Sequence, residues 1–153
     1  LLELYTQLDA KVEELDDQIE ECVHGIDPPM LSIPGVGASS TAVILSEYGD
    51  FSKFKNPSKM LAFAGLEPGY FQSGQSESTG HMVKHGSPHL RCALLNCCLP
   101  LVSNEPIFAE FYAKKRAEGK THQVAMTHVA KKLLRVIFTL QTKNIPYDPA
   151  LIR

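Results

Sequence analysis

The sequence has 153 residues, of which 44% are hydrophobic and 21% are charged, and its formal net charge is −2. A chain of this length and composition can bury one hydrophobic core, which excludes an intrinsically disordered protein. The longest mostly apolar stretch, residues 92–102, is much shorter than the roughly 20 residues that cross a bilayer, so we expect no membrane span.

Charge is divided unevenly along the chain. Residues 1–27 contain nine acidic residues and one Lys, whereas residues 28–153 contain fourteen Lys or Arg and eight acidic residues. A basic body fits a polyanionic ligand, and an acidic segment fits a protein contact. The sequence begins without Met and without the features of a signal peptide, so we expect a piece of a longer protein. The four cysteines have no CxxC spacing, which favours a reducing cytoplasm.

Apolar residues in the acidic segment recur at steps of four and three. They are Leu1, Tyr5, Leu8, Val12, Leu15, Ile19, Cys22 and Ile26. This heptad spacing predicts a coiled-coil helix over residues 1–27 that pairs with a second copy or with another helix of the longer protein. An amphipathic helix packed on its own domain is the alternative. The helix is expected to end by Gly25, because Pro28 and Pro29 follow.

The remaining sequence predicts an all-α domain over residues 28–149, with a tail at 150–153. Capping residues and apolar spacing predict helices over about 38–48, 57–64, 88–101 and 106–118, and a last helix from Thr121 to before Pro146. Residues 65–80 are rich in Gly, Ser, Gln and Glu and have no apolar periodicity. They are predicted to form a functional loop and no sheet.

Residues 31–37, followed by the helix from Ala38, are typical of a helix-hairpin-helix motif. Gly35 and Gly37 allow a tight turn and the close approach of another backbone, and Val36 is expected to be buried. The amide groups that open the next helix are then expected to face a DNA phosphate. Such a contact reads the DNA backbone and not its base sequence. A helix-to-helix turn without a ligand is the alternative.

The predicted loop carries Ser73 between Gln72 and Gly74, two residues that are expected to contact DNA. A glycine beside a serine lets another backbone approach the hydroxyl. However, loop hydroxyls are commonly solvated and no order of Ser, His and Asp is evident, so the residues alone do not assign a nucleophile.

Basic residues follow the loop. Lys84, His85 and Arg91 are expected to bind successive phosphates, with an ordinary exposed side chain as the alternative for Lys84. Arg91 requires an anionic partner if it is buried. Basic clusters at 114–116 and 131–135 are interpreted as solvated helix faces that at most widen a phosphate track.

Three histidines spaced by four residues suggest a metal site, which we reject. His81, His85 and His89 would share a helix face only on a continuous helix, and Gly86 and Pro88 interrupt it. No acidic or cysteine ligand accompanies them, so no metal is expected in this chain.

Seven short motifs occur in one order along the chain. They are IPGVG at 33–37, FKNP at 54–57, AFAGLEP at 62–68, QSG at 72–74, GHMVK at 80–84 with Gly86, LR at 90–91 and PYDP at 146–149. In this order they resemble the C-terminal domain of insertion-sequence transposases of the IS 110 / IS 116 / IS 902 group. The resemblance covers residues 28–149, and each motif alone is common.

The resemblance implies an enzyme with an N-terminal RuvC-like domain, whose acidic residues hold divalent metal (Mg), and this C-terminal domain, which contributes a serine. That serine corresponds to Ser73. The implied reaction is attack of the Ser73 hydroxyl on a DNA phosphodiester, which gives a phosphoserine link that conserves bond energy for rejoining. With no cofactor of its own and without the metal-binding domain, this piece alone is expected to be inactive.

The resemblance also implies partners and a location. They are DNA, a structured guide RNA that chooses the DNA sites, the RuvC-like domain of the same protein, and a homo-oligomer formed through residues 1–27. The bacterial cytoplasm, at the nucleoid, is the implied location. One departure is that residues 75–79 contain no Arg where a basic loop would suit DNA.

Two other interpretations remain open. In the first, the chain is a non-catalytic helix-hairpin-helix module of a repair or junction-processing protein, and Ser73 is an ordinary loop residue. In the second, the coiled coil is the functional part and the body is a scaffold.

Overall fold

Six helices and a two-stranded hairpin form the fold of the described residues. The computed structural model describes residues 1–73, 76–82 and 86–152, the two strands at the level of the backbone. The helices are α1 (Leu2–Ile26), α2 (Ala38–Tyr48), α3 (Pro57–Phe63), α4 (Pro88–Asn104), α5 (Pro106–Ala117) and α6 (His122–Lys143). The strands are β1 (Pro68–Ser73) and β2 (Ser76–Met82), and single 3-10 turns lie at Pro29–Ser32, Phe51–Lys53 and Pro149–Leu151. The predicted all-α class is confirmed for the body, to which the hairpin is added.

Polar side chains at the expected positions start three of the helices. Asn56 accepts a hydrogen bond from the amide of Lys59 at 3.1 Å, and Ser87 accepts one from Leu90 at 3.2 Å. Thr121 accepts one from Val124 at 3.4 Å. Each cap satisfies an amide that has no partner inside the helix, which is why the sequence locates these starts.

The core lies where α4 and α6 pack together, with α2 and α5 against them. Leu94, Cys98 and Leu101 of α4 are buried, as are Leu133 and Ile137 of α6. Burial of fully enclosed side chains of this size stabilises a fold by about 1.5–3 kcal/mol each. Within the described ranges, no single helix is long and apolar enough to cross a membrane, and one bent pair, α4 with α5, meets that test by length and composition only.

Helix α1 is a 25-residue helix that packs on α2 near its C-terminal end. Val23 is its one buried residue, and the exposed fraction of the seam side chains ranges from 107% at Leu1 to 36% at Ile19. The helix passes through Gly25 and ends one residue later, where Asp27 adopts a left-handed conformation with φ 48° and donates its amide to the Val23 carbonyl. The predicted end at Gly25 is therefore wrong by one residue.

The described residues between 65 and 80 do not form the predicted loop. They contain an antiparallel hairpin in which Phe71 pairs with Ser78, Gln72 with Glu77 and Ser73 with Ser76, with a register irregularity between Pro68 and Tyr70. Most residues of the two strands are polar, and backbone hydrogen bonds hold such a pair without an alternating apolar pattern. The pattern that normally reveals a strand is therefore missing from this sequence.

The segment that contains Tyr147 ties the C-terminal end back to the turn after α1. The Tyr147 amide donates to the Ser32 hydroxyl oxygen at 2.7 Å, and that hydroxyl donates to the Pro29 carbonyl at 2.6 Å. Burial raises the pKa of the Tyr147 phenol to about 12, and the nearby Glu105 carboxylate adds to the rise. The PYDP motif thus has a structural role in closing the helical body.

Candidate nucleic-acid interface

The corner before α2, which we define as residues 33–37, is a tight turn whose apolar residues face the core. Ile33 and Val36 are buried, with exposed fractions of 1% and 5%. The Val36 amide donates to the Ile33 carbonyl at 3.1 Å, and Gly35 adopts a left-handed φ of 92°. The expected burial of Val36 is confirmed, so any contact of Val36 with a ligand would be made by its backbone.

The helix-hairpin-helix prediction is not confirmed, because the turn is preceded by a single 3-10 turn and not by an α-helix. Pro28 and Pro29 start this segment and Pro34 follows it, so only four residues are available between helix-breaking positions. A segment this short cannot form the two turns of an α-helix. The second half of the motif, a glycine turn followed by α2, is present.

Gly35 approaches another backbone, and that backbone belongs to α4. A Cβ atom at Gly35 would lie 2.8 Å from the Leu101 nitrogen and 3.1 Å from the Pro100 carbonyl carbon. Real Cβ atoms essentially never come closer than 3.0 Å to another heavy atom. Gly35 therefore serves internal packing between the corner and the core helix, and contact of its backbone with DNA stays a prediction.

Gly37 has the opposite environment. A Cβ atom there would meet nothing within 4 Å, and the residue has an ordinary extended backbone with φ −88°. Gly37 is the residue before α2 and provides no side-chain cap, and its carbonyl accepts the first helical hydrogen bond, from Thr41. Among the described residues, no acceptor faces the amides of Ala38, Ser39 and Ser40. These amides are open to an anionic group at the positive end of the helix dipole.

The hairpin is anchored at both ends against the C-terminal end of α3. Leu66 is fully buried, and its amide donates to the Leu61 carbonyl at 2.9 Å. On the other side, a Cβ atom at Gly86 would lie 2.5 Å from the Phe63 carbonyl oxygen, and the Ser87 amide donates to that oxygen at 3.2 Å. These contacts form the hairpin root, which we define as Leu61–Glu67 together with Gly86 and Ser87.

Arg91 points to the hairpin root from the first turn of α4. Its Nη1 donates to the Ala64 carbonyl at 3.3 Å, and the side chain is half-buried. The partner that its burial required is thus a carbonyl at the negative end of α3, and not a carboxylate. A guanidinium has five N–H donors, so one such bond leaves donors for a phosphate.

Ser73 is the last residue of β1 and is paired with Ser76 across the strands. Its backbone therefore lies at the end of the hairpin away from the root. Gln72 precedes it in the ladder, opposite Glu77. Gly74, Lys84 and His85, which the sequence also selects, lie outside the described residues.

These features define a helical domain with an open helix start, a half-buried arginine and an anchored hairpin. The chain belongs to the IS116/IS110/IS902 family of transposases, whose family model matches residues 28–113. The match includes the corner, the hairpin and Arg91, which confirms the resemblance drawn from the seven motifs.

Individual relatives support this assignment. The chain is 31% identical over 125 residues to an insertion element IS110 protein of Streptomyces coelicolor, covering 82% of this chain and 31% of the relative. It is 28% identical over 145 residues to the pilin gene-inverting protein of Moraxella bovis, covering 94% of the chain and 45% of the relative. It is also 28% identical over 152 residues to the IS1111A transposase of Coxiella burnetii, covering 94% of the chain and 42% of the relative. The chain thus spans less than half the length of these relatives.

We expect Gly35→Ala to destabilise the fold by about 3 kcal/mol, because it adds a steric clash to an unfavourable backbone conformation. Gly119→Ala is the matched control: Gly119 also has a positive φ, 82°, but open space around it, so a cost of about 1 kcal/mol is expected. Gly37→Ala should cost less than about 1 kcal/mol. Urea unfolding of the three variants measures this order. Equal losses at Gly35 and Gly119 would contradict the close packing of the corner on α4.

We expect Gly37→Asp to weaken duplex DNA binding while leaving the stability equal or higher by a few tenths of a kcal/mol. The new carboxylate would cap the amides of α2 and repel a phosphate at the same place. Gly37→Ser is the control, since its hydroxyl caps the helix without adding charge. Its DNA affinity should lie between that of the wild-type protein and that of Gly37→Asp. Fluorescence anisotropy with a duplex, together with urea unfolding, checks both effects. An unchanged affinity of Gly37→Asp would show that no phosphate binds there.

Proposed function

We propose that this chain is the DNA-binding and nucleophile-contributing domain of a transposase that cuts and rejoins DNA through a phosphoserine intermediate. The observation that carries the proposal is the position of Ser73 at the far end of a hairpin whose root is packed between α3 and α4. A hydroxyl at the end of an anchored hairpin can reach a DNA strand that the helical body holds. The names of relatives, a transposase and a pilin gene-inverting protein, support DNA rearrangement as the reaction class.

The proposed reaction is a transesterification at phosphorus. The Ser73 Oγ forms a bond to the phosphorus atom, the bond from phosphorus to one sugar oxygen breaks, and that oxygen leaves as a hydroxyl with the proton lost from the serine. The energy of the broken ester is kept in the new ester, so a second sugar hydroxyl can reverse the step and join a different strand. No external energy source is then needed for rejoining.

A serine hydroxyl requires activation, since it is a weak nucleophile at neutral pH. We propose that the divalent metal implied by the family resemblance is held by a RuvC-like domain of the longer protein. Bound there, Mg would polarise the phosphate and lower the cost of deprotonating the serine. The present chain alone is accordingly proposed to be inactive.

The role of the helical body is to hold the sugar-phosphate backbone. The amides of Ala38, Ser39 and Ser40 supply neutral donors, and Arg91 supplies a charged one. Both kinds of contact position a strand without reading its bases. We therefore propose that a structured guide RNA selects the DNA sites, and that the protein acts at the nucleoid of a bacterial cell.

Helix α1, the acidic arm of the chain, is proposed to join copies of the protein. Its seam is apolar and exposed over most of α1, and exposed apolar stripes of this length are covered by a partner in coiled coils. Two copies would place two hairpins on one assembly, as the joining of two DNA strands requires.

In the full-length transposase, Ser73→Ala should abolish recombination and leave nucleic-acid affinity within about threefold, because it removes the nucleophile and not a strand-holding contact. Ser76→Ala is the matched control: it removes the same hydroxyl from the residue paired with Ser73. A plasmid recombination assay and trapping of a covalent protein-DNA adduct are the measurements. Recombination that survives in Ser73→Ala would favour the non-catalytic binding module.

Leu8→Asp or Leu15→Asp should reduce the mass of the full-length protein toward that of a monomer in sedimentation equilibrium, because each places a charge in the apolar seam. Ala10→Asp is the control, since it adds the same charge to α1 at a position outside the apolar seam. A mass unchanged by both seam substitutions would show that α1 does not join the copies.

A further inference from the structure

The last helix lies in a segment of the chain that has no acidic residue. Between Glu118 and Asp148 there is no Asp or Glu, whereas five Lys or Arg occur. The five are Lys120, Lys131, Lys132, Arg135 and Lys143. A solvated helix face normally alternates the two signs, because pairs of opposite charge three or four residues apart stabilise the helix. The composition therefore indicates attraction to an external polyanion.

The structure places three basic side chains on one face of α6. His128, Lys131 and Arg135 are separated by three and four residues, which places them on one helix face. Arg135 is exposed, and His128 and Lys131 are half-buried. Within the described part of the chain, the ion pairs are Lys11 with Glu14, His24 with Glu20 and Lys115 with Glu118, and none involves this face.

One member of the cluster is held in place by aromatic rings. The Lys132 ammonium lies 4.9 Å from the centre of the Phe111 ring and 5.3 Å from that of Phe108. A cation held over ring faces has lost part of its freedom before any ligand arrives, so less conformational entropy is lost on binding. Lys132 borders the same side of α6 as Arg135, since both line one groove with Lys143.

The cationic face runs toward the hairpin root. The carboxylate of Glu67, the residue before β1, raises the pKa of Lys131, although burial of the ammonium lowers it more. At the other end, Lys115 of α5 and Lys120 lie close enough to His128 to lower its pKa. Helix α6 also packs against α3, which leads into the hairpin root, and against α5.

We propose that the α6 face formed by His128, Lys131, Lys132 and Arg135 binds the phosphodiester backbone of a duplex nucleic acid, and that His128 takes up a proton when it does so. This proposal rests on the proposed function and adds the surface that holds the strand beside the hairpin. From His128 to Arg135 the helix rises about 10 Å, which equals the axial rise of about three base pairs of a duplex. DNA and structured RNA share this backbone and are separated by the experiment.

The proton uptake follows from the surroundings of His128. The charged groups that face it are Lys131 on its own helix, and Lys115, Lys120 and Glu118 from α5 and the turn after it. Burial and the three ammonium groups lower the pKa of the imidazole, and the Glu118 carboxylate partly opposes them. A phosphate placed among the same groups favours the charged imidazole and raises that pKa. Binding therefore tightens as pH falls through the range where the bound imidazole gains its proton.

The test compares double variants of the full-length protein with equal loss of charge. Lys131→Gln/Arg135→Gln should weaken duplex binding at least about tenfold at 0.1 M salt and make the plot of log K against log salt shallower by about 2. Lys53→Gln/Lys55→Gln removes two exposed cations from another part of the body and is the control. Parallel titrations with a DNA duplex and an RNA duplex identify which backbone is bound. An equal effect of both double variants would overturn the proposal, because total charge would then explain the binding.

The second readout is the pH dependence of affinity at fixed salt. From about pH 8 to about pH 6 the wild-type protein should tighten at least about threefold more than His128→Gln, in which a neutral side chain of similar size replaces the imidazole. The same pH dependence in both proteins would show that His128 takes up no proton on binding. Intact duplex binding together with reduced self-association of Lys131→Gln/Arg135→Gln would instead assign the face to an acidic arm of another copy. Failure here with Ser73-dependent recombination intact leaves the proposed function standing.

Discussion

The hairpin that carries Ser73 depends on one backbone contact, between Gly86 and the end of α3. A Cβ atom at Gly86 would lie 2.5 Å from the Phe63 carbonyl oxygen and 2.6 Å from the Gly65 nitrogen, so only glycine lets these two segments touch. A pair of strands is at best marginally stable on its own. The contact at Gly86, together with the buried Leu66, therefore supplies the anchoring that the strands lack.

That contact also links the hairpin to the basic residues of the body. Gly86 is followed directly by Ser87, which caps α4, and Arg91 in the first turn of α4 donates to the Ala64 carbonyl beside the same contact. A shift of α4 would thus move Arg91 and the hairpin root together. The other end of α4 packs against Gly35. The corner before α2 and the hairpin root are therefore both positioned by α4. A ligand that touches both is bound by parts of a single rigid support.

Local signals predicted the helices well, because caps, prolines and glycines act within a few residues of where they occur. Asn56, Ser87 and Thr121 each mark a start that the structure reproduces. The hairpin was missed because its pairing is made by the backbone of polar residues, which leaves no alternation in the sequence. The partner of Gly35 was unpredictable for a different reason, since Leu101 lies far along the chain and only the packing of α4 brings it near. Ser73 was selected by resemblance to a family, and the residues around it would not have selected it alone.

The net charge of −2 is a poor guide to the affinity of this protein for a polyanion, because the two signs of charge are separated along the chain. Most of the acidic excess lies on α1, a helix of 25 residues and therefore about 37 Å long. Charges in salt solution are screened within about 8 Å, so the charges close to a bound ligand matter more than the net charge of the chain. A nucleic acid bound to the body as we propose would therefore interact mainly with the cations of α6 and with Arg91. Separation of the two signs along the chain is what the proposed division into a partner-binding helix and a phosphate-binding body requires.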